Sequence, residues 1–310
     1  MKRTLVYILL SAAFLAAPGF LMKAQPKTKL NPSQTILLYP EGQKVDMGLA
    51  GTLGPQESNG ITDPEMTDKN GWIWNISDKA RVDLYFPKRG NGQLVVICPG
   101  GGYQFVSSYN EGIYVAEWLV SQGIAAAVVK YRLPNGHSNI PLTDVQNALR
   151  YCRANADEWN IKSIGIMGFS AGGHLAASAS NLFTDDITRP DFSILIYPVI
   201  SMDKTITHMG SRNSLVGKDK KAESLFSLEN QVTRKTPPTF IVHCSDDDTV
   251  PVANSAIYYA QLAKNQVYSE MHIYPTGGHG WGFTTKGRDG LGYARKEFEE
   301  ALLRWLKSVR

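Results

Sequence analysis

From Ala80 onward, short continuous apolar runs alternate with longer stretches in which apolar residues recur every three or four positions. The runs are ARVDLYFP, GQLVVICPG, GIAAAVVKY, SIGIMGFS, DFSILIYPVI, PPTFIVHCS and SEMHIYP. Most are apolar throughout instead of alternating, which predicts strands covered on both faces of a mainly parallel sheet. The intervening stretches have helical period: Leu142, Val145, Leu149 and Cys152 form one stripe, and Phe298, Leu302, Trp305 and Leu306 another. The fold class is therefore α/β, with helices on both faces of the sheet.

Two segments depart from this rhythm. Residues 25–79, rich in Pro, Gly, Asn, Asp and Thr, carry a short strand candidate at Thr35–Tyr39 and the aromatic run NGWIWNIS. They read as an N-terminal arm or edge strand packed on a main domain of residues 80–310. Between SILIYPVIS and TPPTFIVHC the spacing opens over Met202–Lys235 with weak periodicity, the pattern of a lid-like insertion. Internal repeats are absent.

At the start of the chain, Lys2 and Arg3 precede an apolar run from Leu5 to Leu21. That order fits a secretory signal, read as residues 1–24, and predicts export to the periplasm or the exterior. The run includes Pro18 and Gly19 and falls short of the roughly 20 residues a spanning helix needs, so no stable membrane anchor is expected after its removal. Loss of Lys2, Arg3 and Lys23 takes the formal charge from +4 to near +1, which removes any case for a nucleic-acid partner. Three cysteines are too few and too odd in number for a disulfide framework, and Cys98, Cys152 and Cys244 each sit in an apolar run as small hydrophobes.

The chemistry concentrates at the ends of the predicted strands. GFSAG places glycine two positions before and two after Ser170, between the strand SIGIM and a small-residue helix. Such a turn strains the serine backbone and brings other backbone too close for side chains, the geometry of an exposed nucleophile. Gly100, Gly101 and Gly102 in CPGGGY follow an earlier strand, where flexible backbone can aim amides at an oxyanion; the amide of Ala171, just after the serine, supplies a second donor. The glycines lack the spacing and the following lysine of a phosphate loop. A hydroxyl also needs a base, and the base an orienting acid. Asp247 is the acid of choice among Asp246, Asp247 and Asp248, because Asp-x-x-Val-Pro fits the turn leaving that strand; the other two read as solvated turn residues. Of six histidines, His279 in YPTGGHGWGF is the base, held in a loop with Gly277, Gly278, Gly280 and Gly282. His174 reads as a packed helix residue, His243 as a strand end and His208 as part of a polar loop. The order serine, acid, histidine differs from both protease orders, that of chymotrypsin and that of subtilisin.

CPGGGY, GFSAGG, HCSDDDTVPVANS and YPTGGHGWGF resemble the α/β-hydrolase superfamily, nearest its bacterial carbohydrate-esterase branch, which includes acetylxylan and feruloyl esterases. The resemblance covers about Ala80 to Arg310. It implies an eight-stranded sheet, Ser170, His279 and Asp247 as catalytic triad, the amides of Ala171 and of Gly101 or Gly102 as oxyanion hole, and no metal or cofactor. Pro99 stands where hormone-sensitive-lipase relatives have histidine, and their large helical cap is missing. The expected reaction is hydrolysis of acyl esters on a polysaccharide or oligosaccharide, acetyl or feruloyl, through an acyl-enzyme. Tyr103, Tyr197 and Trp281, beside the catalytic segments, either wall a site that stacks sugar or phenolic rings or belong to the core. Two rivals share these features: a serine peptidase, whose usual propeller the first 80 residues cannot hold, and a carbohydrate-binding protein that keeps the fold without turnover.

Overall fold

The computed structural model describes residues 30–39, 58–283 and 290–309; residues 1–24, read from sequence as a secretory signal, lie outside them. In chain order the strands are β1 (Gln34–Leu37), β2 (Met66–Thr67), β3 (Trp72–Trp74), β4 (Arg81–Tyr85), β5 (Gln93–Cys98) and β6 (Phe105–Ser107). There follow β7 (Ala125–Lys130), β8 (Ser163–Phe169), β9 (Ser193–Ile196), β10 (Thr239–Cys244) and β11 (Ser269–Tyr274). The helices are α1 (Tyr114–Ser121), α2 (Asn139–Ala154), α3 (Ser170–Asn181), α4 (Met209–Leu215), α5 (Lys220–Leu225), α6 (Ala253–Lys264) and α7 (Arg295–Ser308).

The eight-stranded sheet has the order β1-β4-β7-β5-β8-β9-β10-β11. β1, β4 and β7 pair antiparallel, and every pair from β7 to β11 is parallel. β5, β8, β9 and β10 are buried at every position, which explains their unbroken apolar sequence. Each face of the sheet carries its own core cluster: Val96, Ile164 and Leu195 pack with α2 and α3 on one side, Ile97, Met167 and Ile194 with α1 and α7 on the other. The α2 stripe buries Val145, Leu149 and Cys152, and that of α7 buries Phe298, Leu302, Trp305 and Leu306. All three cysteines are free and buried.

A second, three-stranded antiparallel sheet, β2-β3-β6, stands beside the main one. It joins the arm to the chain just past the glycines, through the pairs Trp72↔Ser107 and Trp74↔Phe105. β1 from the same arm caps the main sheet as an edge strand. The Met202–Lys235 insertion folds into α4, α5 and a 3₁₀ turn at Leu228–Asn230. Leu228 N–H anchors it to the Ile200 carbonyl, and the Arg212 side chain braces it from within by donating to the Met202 carbonyl and to Glu223. Among the described residues, no helix is long and apolar enough to cross a membrane.

Candidate active site

Parallel strands deliver their C-terminal ends to one edge, and the ends of β5, β8, β10 and β11 bring the sequence-selected segments together there. β8 leaves the sheet straight into α3: Phe169 is extended, and Ser170, the first residue of α3, takes a left-handed φ of 52°. A serine there is strained. The turn closes because the flanking glycines have no Cβ. A Cβ at Gly168 would lie 2.1 Å from the Gly172 carbonyl oxygen, and one at Gly172 the same distance from that of Cys98. The glycines of GFSAG therefore permit the close approach that lifts Ser170 off the strand.

His279 Nε2 lies 2.9 Å from Ser170 Oγ, and its Nδ1 lies 2.6 Å from Asp247 Oδ2. A carboxylate only accepts, so Nδ1 carries the proton and Nε2 presents its lone pair to the serine. Asp247 Oδ1 accepts from the amides of Thr249 and Val250, while Oδ2 also accepts from His243 Nε2. Burial alone would raise the Asp247 pKa, but the bonds from His243 and His279, the nearby His279 charge and the Val250 amide outweigh it and hold the carboxyl well below its ordinary value. The acid stays ionised and fixed. His243 Nε2 faces two acceptors, Asp247 and the Val250 carbonyl, so it donates to both, and Nδ1 accepts from Ser255. His243 is thus a fully buried clamp on the acid and more than a strand end.

The histidine loop is pinned from outside. Asp246, read from sequence as a solvated turn residue, accepts the amides of Gly277 and Gly278. Asn110 donates to the Gly280 carbonyl. Gly277, Gly278, Gly280 and Gly282 all take positive φ, which lets the loop fold back over the sheet edge.

Opposite the serine, Gly101 and Gly102 line the cavity, and among the described residues their amides make no hydrogen bond. Ala171 sits in the first turn of α3, where helix amides lack an intrahelical acceptor. The Gly100 amide is committed elsewhere, donating at 2.8 Å to Glu111, a buried carboxylate that sequence reading passed over. Glu111 lies on a five-residue π-helical turn, Tyr109–Ile113, of the kind often found at functional sites. Its other oxygen accepts from Tyr197 Oη at 2.8 Å, and Tyr197 Oη in turn accepts from the Gly282 amide. Burial raises the Glu111 pKa, against the Tyr197 bond, the His279 charge and the Gly100 amide, which lower it. One carboxylate thereby ties the glycine loop to the histidine loop.

The cavity over Ser170 has a volume of about 470 Å³. Its aromatic wall is Trp72 and Phe105, whose rings stack with centroids 4.4 Å apart. The three aromatic residues singled out in the sequence do not form that wall. Tyr197 and Trp281 are core residues, Tyr197 packed behind the His279 ring and Trp281 edge-on against it and Phe298. Tyr103 turns away from the serine, and its hydroxyl bonds His174 Nδ1. His174 Nε2 must donate to the Phe226 carbonyl, so this helix residue ties the glycine loop to the insertion. His208, at the N-terminus of α4, reaches the cavity over Ser170 from that insertion.

A mostly parallel sheet with a strained serine at a strand-to-helix turn, an acid after β10 and a histidine after β11 defines an α/β hydrolase. The BD-FAE family model matches residues 82–262, and the chain belongs to that family. It is 41% identical over 247 residues, 76% of its own length, to an acetylxylan esterase of Xylanibacter ruminicola. It is 37% identical over 204 residues, 60% of its length, to endo-1,4-beta-xylanase B of Butyrivibrio fibrisolvens. The matches span 50% of the first relative and 32% of the second, so the chain corresponds to a part of each. Among solved structures, an acetyl ester-xyloside bifunctional hydrolase from Caldicellulosiruptor lactoaceticus superposes with a TM-score of 0.69 at 32% identity, covering 91% of this chain and 98% of that one.

Proposed function

We propose that the chain is an exported serine carboxylesterase that removes acetyl groups from xylan or its oligosaccharides. The observation that carries the reading is the relay of 2.6 and 2.9 Å from Asp247 through His279 to a backbone-strained Ser170, facing amides without partners. Ser170 Oγ attacks the ester carbonyl as His279 Nε2 takes its proton. The oxyanion rests on the amides of Ala171 and of Gly101 or Gly102. His279 then returns the proton to the departing sugar alcohol, and water repeats both steps to free the acid and restore the serine. The names of the acetylxylan esterase relative and of the acetyl ester-xyloside hydrolase support the substrate class. Export rests on the Lys2-Arg3 and apolar pattern at the start of the chain.

A feruloyl ester is the second reading, favoured by the aromatic wall of Trp72 and Phe105 in a cavity roomier than an acetyl group needs. Two experiments test these readings. Turnover of p-nitrophenyl acetate by Ser170→Ala should fall at least about 10³-fold, and near wild-type rates refute the nucleophile. Mass spectrometry of the acids released from acetylated xylan and feruloylated arabinoxylan decides the acyl group.

A further inference from the structure

A second cavity, of about 500 Å³, opens beside the first, and Gln104 lines both. Its walls come from four separate parts of the chain: Asp63 and Asn75 from the arm, Tyr103 and Gln104 from the glycine loop, Asn135 from the turn after β7, and Asn213 and Ser214 from α4. The two cavities differ in chemistry. The one over Ser170 has the stacked Trp72 and Phe105 rings as its wall, whereas this one is lined mainly by four carboxamides, hydroxyls and a single carboxylate, with Ile61, Tyr103 and Leu133 as its apolar part and no cation among its described lining residues. Such a lining repays neither an apolar group nor an anion. It suits a neutral ligand dense in hydroxyls, because every carboxamide offers both a donor and an acceptor.

The walls are held in place from behind. Buried Asn59 donates to the carbonyls of Ile76 and Leu133, and the Asn135 amide donates to the Asn59 carbonyl. The side-chain oxygens of Asn75 and Asn135 and the whole Gln104 carboxamide have no hydrogen-bond partner among the described residues. Three residues with positive φ that are not glycine, Asn75 (61°), Tyr103 (60°) and Asn135 (45°), meet at this one cavity. Backbone held in that region at a rigid, polar concavity is the signature of a built site.

We infer that this cavity is a sugar subsite: it binds a neutral pyranose unit of the polymer next to the unit whose ester lies over Ser170. Resting on the esterase reading, the inference makes the arm and the insertion the parts that select a glycan over a small ester. Gln104, common to both cavities, marks where the chain of sugars passes from one to the other.

Unacetylated xylotetraose, which carries no ester, is the probe for binding by isothermal titration calorimetry. The wild-type protein should bind it, and Asn135→Leu/Asn213→Leu should weaken binding about tenfold or more, as expected for losing two or more hydrogen bonds. Absence of binding to the wild type, or equal binding by the variant, overturns the subsite. Turnover supplies a second readout: the ratio of kcat/KM on acetylated xylotetraose to that on p-nitrophenyl acetate should fall about tenfold in the variant, and a ratio within twofold of wild type also overturns it. Should the double variant misfold, Asn213→Leu alone carries the same tests. Failure of the esterase reading is separable, because wild type would then split neither ester while the calorimetry still decides the subsite.

Discussion

Replacing Glu111 by glutamine keeps the shape of the side chain and changes only what its two ends offer. The carboxylate accepts twice, from the Gly100 amide at 2.8 Å and from Tyr197 Oη at 2.8 Å. Glutamine has one carbonyl oxygen and one NH₂, so one of the two donors must face another donor. With the NH₂ toward Gly100, two N–H groups oppose each other and the loop bearing Gly101 and Gly102 is pushed off its position. With the NH₂ toward Tyr197, whose hydroxyl already accepts from Gly282, the tyrosine proton loses its acceptor and the histidine loop loosens. A buried donor left unsatisfied costs about 1–3 kcal/mol. Expressed in the transition state at 1.36 kcal/mol per tenfold, that is a loss of roughly 5- to 150-fold in kcat. KM for p-nitrophenyl acetate should stay within about twofold, since Glu111 orients donors for the oxyanion and has no part in uniform binding of the ester. Stopped assays at a temperature well below the melting transition separate this from unfolding. A glutamine variant with wild-type kcat, or one whose loss appears in KM alone, would refute the bridging role.

Other outcomes follow from the same geometry. His243→Leu removes one of four donors to Asp247 and should lower kcat by about tenfold while the protein still melts cooperatively; an unchanged kcat means His243 does not hold the acid. Gly168→Ala places a Cβ 2.1 Å from the Gly172 carbonyl and 2.8 Å from the Ala176 Cβ, and should lower Tm by at least about 3 °C together with activity; a normal Tm would show that the elbow tolerates a side chain. His174 should set part of the acid sensitivity of the fold. Burial lowers its pKa to about 4 from an ordinary value near 6.5, so the unfolded chain takes up a proton that the folded one refuses. Its contribution is complete above the unfolded pKa and is lost as pH falls from about 6.5 to 4, in total about 3 kcal/mol. Denaturant unfolding at pH 7 and pH 4.5 should show a smaller pH dependence in His174→Gln than in wild type, and parallel curves would contradict the assignment.

The middle of the main sheet was legible because β5, β8, β9 and β10 are buried at every position, so their unbroken apolar runs separated them from the helices. Ser170, Asp247 and His279 were legible for a different reason: each stands at the end of such a run with a glycine or proline signal beside it, and a parallel sheet sends all those ends to one edge. β2, β3 and β6, with two or three residues each, are too short to show a period. Within NGWIWNIS, Trp72–Trp74 becomes a strand because Met66–Thr67 pairs with it on one side and Phe105–Ser107 on the other. Glu111 is a lone acid in a polar stretch until the π-helical turn points it back at Gly100. Of the aromatic residues left open between wall and core, Tyr197 and Trp281 are core and Tyr103 borders the polar cavity, not the one over Ser170, because closeness in sequence does not fix side-chain direction. Tyr103, with φ at 60°, sends its ring into the core, while Phe105, two residues on, faces the cavity.

That division has a physical cause. Groups that react need a fixed place at a strand end, and the signals that put them there are local: a tight turn, a proline, a glycine pair. Groups that select a substrate need only converge, and here they converge from the arm, the glycine loop, the turn after β7 and the insertion, which are far apart in sequence. No local pattern announces such a surface, since each contributor is an ordinary Asn, Gln or Trp where it stands. The strain at Ser170 can be read from one pentapeptide, whereas the neighbouring polar cavity exists only after Asn59 has tied the arm to the chain beyond β7. A change in Asn59 should therefore alter how the protein meets a glycan before it alters how Ser170 meets a small ester.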